Sequence, residues 1–209
     1  MESFFLRARA LGGLGRASEA LALLDSVRGL PDDAIRWDIS RPDVFGAVLS
    51  HELELHGHSR EAGLAAVRAL EYYRQRNDTT VYSLIVDAAL RAGRGGEARR
   101  LLMAPGRVEP FATAWLGATG VVALAQGDTV TAARMEDSLA RGTWPYEDGR
   151  EMFERARLAA YRGDRAEATA LVHRWLSTRR GFSFAIHYWP GLAPLRGYPP
   201  FEAVLTVKR

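Results

Sequence analysis

The residues with the most obvious chemical capacity lie in one short run, His51-Glu52-Leu53-Glu54-Leu55-His56-Gly57-His58, where histidines and carboxylates crowd together as metal ligands would. A zinc-protease helix places two histidines four residues apart on one face with a glutamate between them, whereas His51 and His56 are five apart and diverge around a helix. His56 and His58 flank a glycine, so the run reads as a solvated helix end, and neither a metal nor any other cofactor is expected. Gly13-Leu14-Gly15-Arg16-Ala17-Ser18 imitates a dinucleotide loop but follows a helical pattern where that loop needs a strand. A phosphate-binding loop needs its lysine, and the single lysine, Lys208, stands next to last in the sequence. The chain has no cysteine, which excludes disulfide scaffolds, thiolate metal sites and cysteine nucleophiles. Serine, histidine and aspartate all occur, but no spacing pairs a nucleophile with a base, and no residue is assigned a catalytic role. Asn77-Asp78-Thr79 matches a glycosylation acceptor yet reads first as a helix cap.

The elements that carry these residues are helical and repeat. Gly15-Arg16-Ala17-Ser18-Glu19-Ala20, Gly57-His58-Ser59-Arg60-Glu61-Ala62, Gly93-Arg94-Gly95-Gly96-Glu97-Ala98, Gly127-Asp128-Thr129-Val130-Thr131-Ala132 and Gly163-Asp164-Arg165-Ala166-Glu167-Ala168 share one pattern: glycine, three mostly polar residues, Glu or Thr, alanine. The glycines stand 42, 36, 34 and 36 residues apart. A glycine can end a helix in the left-handed conformation without a Cβ penalty, and Ser59, Asp128 or Asp164 is placed to cap the next helix. The alanine five residues on supplies a small surface for close helix approach, and apolar stripes such as Leu21, Leu23 and Leu24 follow. Amphipathic runs precede each glycine at 4–11, 44–55, 81–90, 111–125 and 152–161. Their starts are marked by a capping-box spacing in Ser40-Arg41-Pro42-Asp43, by Asp78 and Thr79, and by Thr143-Trp144-Pro145. Strand signals are nearly absent, so the pattern predicts five stacked helical hairpins, each burying its face against its neighbours.

With a period near 34 and Gly-x-x-x-Glu-Ala turns, residues 1–178 resemble a tetratricopeptide-repeat array. The position seven before each turn glycine, small in that family, holds Ala8, Ser50, Val86, Gly120 and Ala156. The family's aromatic near the start of the first helix is matched only by Phe4 and Tyr82, and its closing proline loosely by Pro31, Pro105 and Pro110. The resemblance implies an all-α fold, a right-handed α-α superhelix with a C-terminal cap over 179–209. It further implies a groove lined by the first helix of each hairpin, where extended peptides lie. Carried over by register, the groove-facing positions are His51 and Glu54, then Ser83, Asp87 and Arg91, then Arg150, Arg157 and Tyr161. In the fourth hairpin they are Ala114, Gly117 and Val121, an apolar floor. The lysine and asparagine clamp with which chaperone-binding members hold a C-terminal carboxylate is missing, and Arg150 with Arg157 is the expected grip on an acidic group.

Two stretches fall outside the repeats. Residues 29–41 contain Pro31, three aspartates and Trp37, the latter expected to tuck over the first groove. Residues 181–190 are aromatic-rich, and the closing stretch with Leu195-Arg196 and Pro200-Phe201 resembles the chain ends that follow such arrays in large bacterial signalling proteins. An array needs a terminal element to cover its last apolar face, which is the role expected of 179–209.

Charge and hydropathy bound the function classes. There are 28 Lys plus Arg against 25 Asp plus Glu, a net charge of +3, far short of a nucleic-acid footprint. One lysine and one asparagine in the whole chain suggest the composition of a G+C-rich bacterium. The longest uncharged stretch, 110–127, carries Thr113, Gly117, Thr119, Gly120 and Gln126 and reads as a buried helix rather than a membrane span. With no secretory signal pattern near Met1, a cytoplasmic location is expected. The leading expectation is a non-catalytic scaffold that binds a protein or peptide partner through the solenoid groove, as a subunit of a larger complex or the tail of a signalling protein. The alternative is an RNA-binding helical-repeat protein, prompted by Arg99-Arg100 and Arg179-Arg180, but base-reading repeats need the same side chains at corresponding positions and here those vary.

Overall fold

The computed structural model describes residues 2–28, 41–75, 83–104, 112–144, 149–177 and 191–206. Among these residues the secondary structure is entirely helical. In chain order the helices are α1 (Glu2–Gly13), α2 (Ala17–Arg28), α3 (Pro42–Leu55), α4 (Ser59–Gln75), α5 (Ser83–Arg91) and α6 (Gly95–Met103). They continue as α7 (Ala112–Ala125), α8 (Thr129–Arg141), α9 (Arg150–Arg162), α10 (Arg165–Ser177) and α11 (Pro199–Leu205), with a 3-10 turn at Ala193–Leu195 before the last. The chain forms two compact units, Met1–Arg107 and Val108–Arg209. The expected limit between 178 and 179 falls among residues outside the described ones, as do Trp37, Asn77 and the run 181–190.

All five repeat glycines form the same turn. Gly15, Gly57, Gly93, Gly127 and Gly163 have φ of +76°, +80°, +72°, +78° and +90°. Each glycine N–H donates to the carbonyl three residues back at 2.9–3.1 Å, and the next residue's N–H donates to the carbonyl five back at 2.8–2.9 Å. That pair of bonds satisfies two carbonyls that a helix end otherwise leaves open, and it needs a left-handed residue at the glycine. The N–H of the repeat alanine then makes the first helical bond of the next helix, for example Ala62 to the His58 carbonyl at 2.8 Å and Ala168 to the Asp164 carbonyl at 3.0 Å. Ala20, Ala62, Ala98, Ala132 and Ala168 are all buried, as are the five residues seven before each glycine, from Ala8 to Ala156. The turn therefore fixes the register of both helices that it joins.

Capping follows the sequence in two turns and departs from it in a third. The Asp128 carboxylate accepts from the Thr131 N–H at 2.9 Å and that of Asp164 from the Glu167 N–H at 3.0 Å, the expected caps. Ser59 is not a cap: it is the first residue of α4, one position too late, and its hydroxyl donates to Glu54 Oε1 at 3.2 Å. Of the expected Ser40–Asp43 capping box, Ser40 lies outside the described residues. Arg41 occupies the cap position of α3 without a side-chain bond to the helix end, Pro42 opens the helix, and the buried Asp43 carboxylate accepts from Arg41 at 3.1 and 2.7 Å. A proline at the first position costs no hydrogen bond, so it sets the start.

Each unit has its own apolar core. In Met1–Arg107, Leu21, Leu24 and Val27 of α2 pack with Phe45, Leu49 and Leu53 of α3. Helix α3 meets α4 so closely that a Cβ at Gly46 would stand 3.0 Å from Ala69 Cβ and 3.3 Å from the Ala65 carbonyl. In Val108–Arg209 the described closing stretch, 191–206, packs Leu192, Leu195 and Phe201 against Phe153 of α9 and Leu171, Val172 and Trp175 of α10. Phe153 and Trp175 stack at a tilt, with ring centroids 5.0 Å apart. Full burial of a side chain such as Phe201 contributes about 1.5–3 kcal/mol to holding this segment against the unit. The uncharged stretch at 110–127 contains α7, whose Thr113, Ala114, Trp115 and Gly117 to Ala118 are buried. No helix among the described residues is long and apolar enough to cross a membrane.

Candidate functional site

The eight polar groove-facing positions fall into two sets, one in each unit. In Met1–Arg107, α3 and α4 are joined by the Gly57 turn and α3 packs also on α5. About two helical turns separate Ser83 from Arg91, so Ser83, Asp87 and Arg91 lie on one face of α5, each four residues from the next. Ser83, Arg91 and Glu54 are half-buried, Asp87 is buried, and His51 has 0% of its surface exposed. Arg91 joins two of the predicted positions across helices. Its Nη1 donates to Ser50 Oγ at 3.1 Å and its Nη2 to His51 Nδ1 at 3.3 Å. A guanidinium can only donate, so in this contact Nδ1 accepts and the ring proton sits on Nε2. The Ser50 hydroxyl spends its own proton on the Ala47 carbonyl at 2.8 Å, which leaves it oriented as an acceptor for Arg91 and not as a nucleophile handing a proton to the imidazole. The trio acts as a polar lock between α3 and α5.

The His51–Glu52 end of the histidine run is core, not the solvated helix end that its polarity suggested. Every residue of α3 from Pro42 to Leu53 is buried. Glu52 meets two side chains: Arg9 Nε of α1 reaches Oε2 at 3.2 Å, and His56 Nε2 stands 3.4 Å from Oε1. His58 Nε2 contacts the Gly12 carbonyl at 3.2 Å, which makes that nitrogen the donor. The three histidines thus turn to three different partners, and among the described residues no group of three His, Asp or Glu side chains could hold a metal ion.

In Val108–Arg209 the set lies on α9, where positions 150, 154, 157 and 161 form one stripe. Its ends reach solvent: Arg150 is half-buried and Tyr161 is 39% exposed. Its middle does not. Arg157 and Glu154 are each 1% exposed, and Arg157 Nη1 donates to Glu154 Oε2 at 2.6 Å. Two glycines make room for this pair. A Cβ at Gly117 of α7 would meet Glu154 Oε2 at 2.0 Å, and one at Gly191 would meet Arg157 Nε at 2.4 Å. Gly191 also has φ of +97°, so the closing stretch crosses Arg157 at a point where only glycine has both the space and the backbone freedom. Arg157 is therefore a core cation under the C-terminal segment, and Arg150 is left as the solvent-reaching arginine of the two. One turn further on, Arg162 bonds Glu136 of α8 and, at 2.8 Å, Glu167 of α10. The Glu136 hydrogen bond holds the Arg162 guanidinium above its ordinary pKa against the opposing effect of burial, with Coulombic help from Glu136, Glu167 and Asp164.

Ser50, Glu52, Asp43 and Glu154 are the polar residues that sequence reasoning did not place in the interior. One signal was present for Glu154, which lies three residues before Arg157 on a predicted helix and opposite a helix with Gly117 and Gly120. Ser50 stood at the family's small position, which is buried in all five turns. No protein-family model matches the chain. No curated protein matches it, and no solved structure does.

Proposed function

We propose that this chain is a non-catalytic scaffold of the tetratricopeptide type, a right-handed α-α superhelix whose first helices present a groove to a protein or peptide partner. The observation that carries the reading is the fivefold recurrence of one hydrogen-bonded glycine turn with the same two buried small positions around it. A unit that repeats its turn and its small residues, while the residues between them vary, is built to stack copies and to change surface from copy to copy. Within that reading the accessible contacts are Glu54, Ser83 and Arg91 on one unit and Arg150 and Tyr161 on the other, with His51, Asp87 and Arg157 beneath them. Arg150 supplies the charge for an acidic group and Tyr161 a rigid amphipathic face, a side-chain type favoured at interfaces.

The test is affinity capture from the native cell extract at two salt concentrations, with Arg150→Glu and Tyr161→Ala variants whose helicity matches the wild type. A protein partner that is salt-sensitive and lost on Arg150→Glu is the expected result. Capture of RNA in place of protein, or a partner indifferent to both substitutions, overturns the assignment.

A further inference from the structure

We draw no further inference here: the strongest candidate, the open groove of about 450 Å³ between α10 and α11 lined by His173, Leu176, Ser177, Ala203, Val204 and Thr206, carries nothing because nothing in the structure shows what covers it.

Discussion

In Met1–Arg107 the buried Ser50, His51 and Glu52 of α3 find partners on other helix pairs, whereas in Val108–Arg209 the buried carboxylate of Glu154 finds its guanidinium three residues along its own helix. Five of the first unit's bonds span a similar distance in sequence. Arg9 to Glu52, His58 to Gly12, Arg68 to the Leu21 carbonyl, and Arg91 to Ser50 and His51 are separated by 40 to 47 residues, about one repeat. Each of them ties one helix pair to the next, so polar groups reinforce the stacking. In the second unit the Glu154–Arg157 pair ties α9 to itself, and the neighbours contribute space through Gly117 and Gly191. One turn chemistry is thus compatible with two ways of burying charge. In the first, Arg9 and Arg91 stay half-exposed; in the second, both members of an ion pair are buried.

The contrast is sharpest when one partner is removed. Arg157→Ala leaves the Glu154 carboxylate buried beside Gly117, and a loss of about 3–5 kcal/mol is expected, read by urea unfolding followed through Trp175. Arg91→Ala removes charge-assisted bonds from a half-buried guanidinium, and about 1.5–3 kcal/mol is expected. Equal losses for the two would erase the distinction. The same arithmetic makes Arg157→Glu a poor probe of a binding groove, since it would put two carboxylates in one buried site.

Close packing comes next in size. Gly46→Val forces a branched side chain against Ala69 and the Ala65 carbonyl, where backbone leaves little room to give, and about 1–3 kcal/mol of destabilisation is expected in thermal unfolding. The turns give a smaller effect that should be common to both units. Gly57→Ala and Gly127→Ala meet no atom within 4 Å, so each measures the left-handed backbone alone, at about 1–2 kcal/mol. A cost in one unit and none in the other would mean that the turns are not equivalent.

The smallest effect is electrostatic and exposed. The Arg16 side chain bonds Glu19 at 2.6 Å and holds its carboxyl below the usual carboxylate range, with burial opposing and the charges of Arg16 and Arg7 adding to the shift. A lowered folded-state value means that the pair's small contribution is present above the ordinary carboxylate pKa and is lost as pH falls through the lowered one. A carboxyl NMR titration should find Glu19 below its ordinary value, and an unshifted titration would show that the pair does not persist in solution.

The helices and their turns were legible in the sequence because both follow from local rules. Glycine, cap and alanine recur at fixed offsets, and the described residues of the run 111–125 form α7, Ala112–Ala125. What was not legible is which polar residues go inside. His51, Glu52 and Asp43 look like surface residues in any periodic reading, and they are buried because α3 is packed by neighbours distant in sequence, with Arg9, Arg41 and Arg91 arriving to satisfy them. The groove positions were inferred from register alone. Register places Arg150, Arg157 and Tyr161 on one stripe, as found, but it carries no information that the segment at Gly191 lies over the middle of that stripe.

The proposed scaffold role is tested most directly by placing a photo-reactive residue, one position at a time, at Glu54, Ser83 and Tyr161 on the first helices and at Arg99 and Arg134 on exposed faces of the second. Irradiation in the native extract, followed by identification of the adducts, then reports what touches each face. The account predicts polypeptide adducts at the first-helix positions and not at Arg99 or Arg134. Adducts confined to Arg99 and Arg134, or adducts that are RNA, would contradict it.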